Sequence, residues 1–255
     1  MRASDRRRAF ARRAALALLA PLLAVAAPFA RAADVLNVGF SSNKPPYVIE
    51  ASASGIEVDI IIAAGRAAGF AVKPNFAPMS RLARMLERGE VDAIATTNYG
   101  DSGEMQFSRE YIEYQNFAVA LAARKLRIER IADLEKYSVS SFQRAQTLLG
   151  PEFNLMASSN PRYREEAEQI VRNRLLLSGR VDVVVGDRRI IEYFNREIAG
   201  QVDTAQPLAW YALFPPTPYR VGFRDGAKRD RFNAGLAAIR KNGEYAAIMK
   251  RYAAY

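Results

Sequence analysis

The sequence predicts an α/β protein of two similar lobes, each a central, mostly parallel sheet flanked by helices. Three observations carry this expectation. Short apolar runs of strand character alternate with runs at helical spacing, the order that builds parallel sheets. The segment GEVDAIATT, residues 89–97, has an echo in GRVDVVVGD, residues 179–187, and each copy follows an apolar helical run. Half of the residues are apolar or aromatic and no segment is of low complexity, so the chain can bury a core in each lobe.

The elements follow in order. VLNVGF (35–40) reads as a buried strand that the turn residues and prolines of SSNKPPY stop. GIEVDIIIAAGRAAGF places Ile56, Ile60, Ala63, Ala64 and Ala67 at helical spacing and ends at Gly69. AVKPNF is the second strand. Ser80 is placed to cap the helix RLARMLERG, whose apolar face is Leu82, Met85 and Leu86, and VDAIAT forms the third strand. NFAVALAAR (116–124) is a long apolar strand leading to KLRIERIADLEKY, after which the pattern restarts: SVSSF a strand, QRAQTLLG a short helix, PEFNLMASSNPRY a loop, REEAEQIVRNRLLLSG a helix, VDVVVGD a strand. DRRIIEYFNREIAG is a helix, LAWYALF a strand, PPTPY a stiff connection, RVGFR a strand, and two helices close the chain.

The first 32 residues stand apart. MRASDRRRAFARR is basic, AALALLAPLLAVAAPFA is apolar, and Ala30, Arg31 and Ala32 fit a small-x-small cleavage site, which predicts an export signal removed before Ala33 and a periplasmic product. Arg7 to Arg12 resembles a twin-arginine signal, and an ordinary Sec signal fits equally. No cysteine is present to carry a lipid. The leader holds seven arginines and one acid, so the net charge of +10 falls to +4 without it, too mild to argue for nucleic acid. With no cysteine and no histidine the chain has no disulfide, no thiol nucleophile, no Ser-His-Asp triad and no His- or Cys-based metal site. No cofactor is expected.

VLNVGFSSNKPPYV, SGIEVDIIIAAGRAAGF, LERGEVDAIATT, FSREYI, IADLEKYSVSSF, SGRVDVVVGD and KNGEYAAIMKRY, in that order, resemble the family 3 extracellular solute-binding proteins of ABC importers, the amino-acid-binding group. The resemblance covers essentially the whole chain after the leader, and the order of the motifs carries it. It implies a two-lobed periplasmic binding protein fold of type II, with lobe 1 spanning 33–120 and 217–255, lobe 2 spanning 121–216, and two crossover strands as hinge, NFAVALAAR (116–124) outward and the segment around PPTPYRVGF returning. It implies capture of a small amphoteric, amino-acid-like solute by hinge closure, delivery to an ABC permease in the inner membrane, a monomer, and no catalysis. In open α/β sheets ligands bind beyond the carboxyl ends of the strands, so Thr96 and Thr97 from one lobe and Asp187 from the other would meet across the ligand.

Asp187 matches the family aspartate that accepts hydrogen bonds from a ligand ammonium; an N-cap role for the helix that follows fits the same position. The family's arginine clamp for a ligand carboxylate is missing, because TTNYGDSGEMQFS holds no arginine. Arg81, in a first helical turn, and Arg144, at the start of a second-lobe helix, are the candidate replacements, with a solvated surface arginine the plainer reading of each. Tyr47 after the proline pair, Phe142 at a strand end, Met79 and Tyr99 are the remaining candidate ligand contacts, and core packing is the ordinary fate of such aromatics. Asp59 and the pair Glu165 and Glu166 are assigned no functional role. Two other readings stay open: a dehydratase-like enzyme on the same fold, for which no histidine is available as proton shuttle, and a ligand-reporting accessory of a receptor.

Overall fold

In the computed structural model, residues 34–97 and 105–253 are described. The expected leader, residues 1–32, and Tyr99 lie outside them. The first half runs β1 (Asp34–Ser41), α1 (Ile56–Ala67), β2 (Phe70–Ala77), α2 (Met79–Glu87), β3 (Ala93–Thr97), β4 (Gln106–Phe107) and β5 (Ile112–Tyr114). Then come β6 (Asn116–Leu121), β7 (Val139–Phe142), α3 (Ala145–Leu148), α4 (Pro151–Ser159), β8 (Tyr163–Glu166), α5 (Gln169–Leu177), β9 (Val183–Asp187), α6 (Arg188–Glu197) and β10 (Leu208–Tyr211). The chain returns through β11 (Thr217–Phe223) and ends in α7 (Gly226–Lys241) and α8 (Glu244–Arg251).

Two sheets result. The first has the order β2-β1-β3-β11-β4, with β5 also paired to β11; the second has the order β10-β6-β9-β7-β8. Their centres are built alike. β1 is parallel to β2 and β3, with Val38 opposite Ala93, and β7 is parallel to β8 and β9, with Val139 opposite Val183. Each set of three gains an antiparallel neighbour, β11 on β3 and β6 on β9. The passage from first sheet to second falls at Gln115, between β5 and β6. β6, expected to carry the crossing, lies wholly in the second sheet.

The repeated Gly-x-Val-Asp now has a physical account. Gly89 and Gly179 take φ of 73° and 71°, the left-handed turn that a side chain disfavours, so each helix stops and reverses there. The aspartate two residues past the turn's end then holds the strand: Asp92 Oδ2 accepts from the Asn37 N–H at 2.8 Å, and Asp182 Oδ2 accepts from the Ser138 N–H at 2.9 Å. Each is paired with a cation from a distant element, Lys228 and Arg124 respectively. Burial alone would raise both carboxyl pKa values, but these hydrogen bonds and cations hold them below the ordinary value. The motif therefore docks the third strand of each lobe onto the first.

The core of the first lobe gathers Leu36, Val38, Phe40, Ile60, Ile61, Phe223 and Phe232. Helices α1 and α7 approach closely because position 235 is glycine: a Cβ there would stand 2.0 Å from the Ala64 carbonyl oxygen. The second lobe has separate clusters on its two faces, around Phe153 and Val183 and around Val119, Leu176 and Val184. Helix α6 serves both lobes, with Ile191 in the second lobe's core and Ile190 and Phe194 packed into the first.

Three local expectations are corrected. PEFNLMASS is not a loop but α4, with Pro151 in its first turn and Phe153, Met156 and Ala157 buried at helical spacing. REEAEQ does not open a helix: Tyr163–Glu166 pairs in parallel with β7, and α5 begins only at Gln169. Ser80 does not cap α2, which starts at Met79 after Pro78, leaving Ser80 inside the first turn.

Candidate functional site

At the carboxyl ends of β3 and β9 a set of side-chain hydrogen bonds, joined by one pair of stacked rings, runs from one lobe to the other. Its first anchor is Glu57, in the first turn of α1 and 0 % exposed. Glu57 sits on the helix face that also carries Ile60 and Ile61, so the apolar burial of α1 takes a carboxylate with it. That carboxylate is supplied with four donors. Thr96 Oγ1 and Tyr111 Oη donate to Oε2, each at 2.5 Å, Tyr114 Oη donates to Oε1, and Lys44 Nζ lies 3.1 Å from Oε1.

Burial alone would raise the pKa of Glu57. The Lys44 ammonium and the hydroxyls of Thr96, Tyr111 and Tyr114 outweigh it, so the carboxyl is held below its ordinary value and stays ionised. The tyrosines respond in the opposite sense. Burial first and the Glu57 charge second push Tyr111 and Tyr114 well above the usual phenol value, which keeps both as O–H donors.

Tyr114 continues the path. Its ring stacks on Tyr47 with centroids 3.9 Å apart, and the Lys44 ammonium sits 4.8 Å over the same ring. Tyr47 then donates from Oη to Asp187 Oδ1 at 3.1 Å, linking the loop after β1 to the end of β9. The loop is held by backbone bonds between Lys44 and Val48, which orient Lys44 and Tyr47 toward the same region.

Asp187 is 5 % exposed and accepts four hydrogen bonds. The N–H groups of Arg189 and Ile190 reach Oδ1, which makes Asp187 the N-cap of α6. The Tyr47 hydroxyl also meets Oδ1, and the Gln115 N–H meets Oδ2 at 3.0 Å. Burial nevertheless dominates and raises its pKa above the ordinary carboxylate value, against the pull of the Gln115, Ile190 and Arg189 N–H groups and the Tyr47 hydroxyl.

Thr96, a β-branched residue, has φ of 57°, in the left-handed region that costs on the order of 1–3 kcal/mol. Its N–H to Tyr111 Oη, at 3.1 Å, and its hydroxyl to Glu57 hold it there. Thr97 faces the other way, donating to the Arg220 carbonyl of β11 at 2.8 Å.

The residues singled out in the sequence are thus placed unevenly. Tyr47, Thr96 and Asp187 join in one network, with Thr97 beside it. Met79 packs half-buried against the small cluster of Leu82 and Leu86, and Arg81 is exposed on α2. Arg144 is exposed at the start of α3 with φ of 67°, its N–H bonded to Glu165. Phe142 packs against the second lobe's core, with the buried Arg172 guanidinium 5.9 Å from its ring centroid. Among the described residues no hydrogen bond or ion pair ties Met79, Arg81 or Phe142 to the network.

Lys44, Glu57, Tyr111 and Tyr114 were missed in the sequence. A signal for Glu57 was available: an acid between Ile56 and Val58, three and four residues before Ile60 and Ile61, falls on the buried face of its helix. Lys44 offered none, because its partner lies thirteen residues on and is found only by the fold. Asp59, assigned no functional role, accepts from Arg251 at 2.7 Å and from the Tyr252 hydroxyl at 2.8 Å. Glu165 accepts from the N–H groups of Arg144 and Gln146, and Glu166 pairs with Arg164.

Among the described residues no helix is long and apolar enough to cross a membrane, and no group of three or more acids could hold a metal ion.

Comparison with known proteins adds to this geometry. The sequence profile of bacterial extracellular solute-binding proteins, family 3, matches residues 36–255. A probable histidine-binding protein from Neisseria gonorrhoeae is 24 % identical over 239 residues, covering 89 % of this chain and 86 % of that one. Among solved structures, a histidine kinase sensor domain with similarity to periplasmic binding proteins superposes with a TM-score of 0.69 at 20 % identity, covering 87 % of this chain and 97 % of its own. An arginine-, lysine-, histidine-binding protein from Geobacillus stearothermophilus gives a TM-score of 0.67 at 18 % identity, covering 86 % and 95 %.

Proposed function

The chain belongs to family 3 of the bacterial extracellular solute-binding proteins, and from that premise we propose that it captures a small polar solute, amino-acid-like in size, between its two lobes and presents it to an ABC permease. The fold is the two-lobed, type II periplasmic binding protein fold, and the family and the relatives are binding proteins. The observation that carries the proposal is the Tyr47–Asp187 hydrogen bond, which joins the polar network at the end of β3 to the end of β9.

The mechanism follows from that placement. The strand ends bring polar groups from opposite lobes to one region, while among the described residues the backbone passes between the sheets at Gln115 and again between β10 and β11. Two short connections of this kind let lobes rotate about a hinge. A solute that touches both walls stabilises the closed form by the difference between its affinities for the closed and open forms. The outgoing connection is itself part of the site, since the Gln115 N–H binds Asp187. Export of the chain to the periplasm, with the leader removed before Ala33, belongs to the same proposal.

A thermal-shift screen of the mature chain across amino acids, polyamines and small organic acids tests it. A true ligand at 100 times its dissociation constant adds about 2.7 kcal/mol of stability. At least one class is expected to shift the transition reversibly and with unchanged ligand mass. Turnover of any compound, read by mass spectrometry, would replace capture with catalysis.

A further inference from the structure

We infer that Arg172 sets the charge preference of the site: a guanidinium sealed beneath the end of β9, it supplies from behind the second-lobe wall the positive charge that favours a solute bearing a carboxylate, in place of the arginine that TTNYGDSGEMQFS lacks. The inference rests on the solute-capture reading and names a residue that tunes it.

Arg172 lies at the end of the first turn of α5. That helix follows β8 closely, and β7, β8 and β9 are parallel, so its first turn stands at the carboxyl ends of all three strands. Position 186 makes the room: a Cβ there would stand 2.6 Å from Arg172 Nη1, and glycine leaves the guanidinium its place one residue before Asp187. Nη1 donates to the Val185 carbonyl at 2.5 Å, Nη2 donates to Gln169 Oε1, and the Phe142 ring at the end of β7 is 5.9 Å away at its centroid. The side chain is therefore fixed against the strand end that carries Asp187.

Its charge is not taken up inside the protein. Arg172 is 1 % exposed, both acceptors it reaches are neutral, and its Nε–H has no partner. Glu166 and Asp187 are near enough to favour the charge, but Glu166 pairs with Arg164, and Asp187 is bound by N–H groups and the Tyr47 hydroxyl. Burial pulls the pKa of Arg172 down to about 10, which leaves it a cation at neutral pH. The other cations beside the site differ. Lys44 has Glu57 at 3.1 Å, and Arg188 is exposed and pairs with Glu192.

A buried cation without a carboxylate is not there for stability, since an apolar residue in such a place is often neutral or stabilising. Sealed from solvent, its field is weakened little by water or salt. Asp187 Oδ2 accepts from the Gln115 N–H and has room for a solute N–H as well. The ammonium of an amphoteric solute then balances Asp187, and the charge left facing the solute's acid group from the second lobe is that of Arg172. It acts without touching the solute.

Calorimetry on the mature chain near neutral pH tests this, with arginine against agmatine, histidine against histamine, and phenylalanine against phenethylamine. Each pair shares its ammonium and differs by the carboxylate, so the ratio of the two dissociation constants isolates the acid group. The wild type is expected to bind the amino acid of a pair more tightly. Arg172→Met and Arg172→Gln remove the charge, and each is expected to reduce that preference about tenfold, the scale of one unit charge acting across roughly 10 Å at an effective dielectric constant of about 20. Equal losses for both members of a pair, with the ratio unchanged, would show a purely structural Arg172 and overturn the inference while leaving capture standing. A wild type that prefers the amine overturns it too. Should Arg172→Met not fold, Arg172→Gln, which can still donate to the Val185 carbonyl, decides. Failure of all six probes on the wild type removes the amino-acid-like solute of the capture reading, and the inference with it.

Discussion

At the scale of the single residue, Glu57 is the side chain on which most depends. A carboxylate with no exposure survives because Lys44 and three hydroxyls surround it. Removing one member of a buried pair costs more than removing both, since the other charge is left without compensation. Lys44→Met and Glu57→Gln are each expected to lower unfolding free energy by about 3–5 kcal/mol, and the double variant to lose distinctly less than the sum, read by urea unfolding; additive losses would show that the two charges do not act as a pair. The pH dependence has a definite sign. Glu57 has a folded pKa below its ordinary 4.5, so its stabilisation is fully present above that value and is lost as pH falls through the folded pKa. Asp187 has a folded pKa above its ordinary 3.8, so its contribution runs the other way and declines as pH rises from there through the folded value. Unfolding free energy measured from neutral pH into acid should therefore fall less steeply in Glu57→Gln than in the wild type, and more steeply in Asp187→Asn; parallel curves for all three proteins would refute both assignments.

At the scale of the element, the duplicated Gly-x-Val-Asp explains why strand and helix positions were so legible. Each copy encodes a helix stop by a left-handed glycine and a strand anchor by an aspartate, and both are local chemistry that periodicity exposes. Asp92→Asn and Asp182→Asn each replace a charge-assisted bond to the neighbouring strand by a neutral one, and each is expected to cost about 1–2 kcal/mol in urea unfolding, with similar losses for the two. A large loss for one and none for the other would contradict the equivalence of the copies. Where reading failed, the competing effect is identifiable. The segment PEFNLMASS carries asparagine, serine and a leading proline, all suggestive of loop, yet Pro151 occupies the first turn where proline is tolerated, and Phe153 and Met156 bury one face. REEAEQ has strong helix formers, but pairing of Tyr163–Glu166 with β7 overrides propensity.

At the scale of the whole molecule, the two-lobed α/β architecture was legible because the order of the motifs is written along the chain, and the sheets match it. The site was legible only in part. Tyr47, Thr96 and Asp187 lie at strand ends or in the loop after β1 and fall into one network. Its centre, Glu57 with Lys44, Tyr111 and Tyr114, includes a hydrogen bond between residues 57 positions apart, Tyr114 and Glu57, and such long-range convergence leaves no local pattern. The missing arginine clamp also acquires a context: the network contains a cation, Lys44, on the first-lobe wall.

The claim on which the account rests is that the solute sits where β3 and β9 end, between Thr96 with its Glu57–Lys44 network and Asp187. A crystal structure of the mature chain with the solute that gives the largest thermal shift tests it most directly. The account predicts ligand density within hydrogen-bonding distance of Lys44 and enclosed by both lobes. Density confined to one lobe, for instance in the surface hollow of Thr147, Asn154 and Leu155 between α3 and α4, with the Lys44 region unchanged, would contradict it.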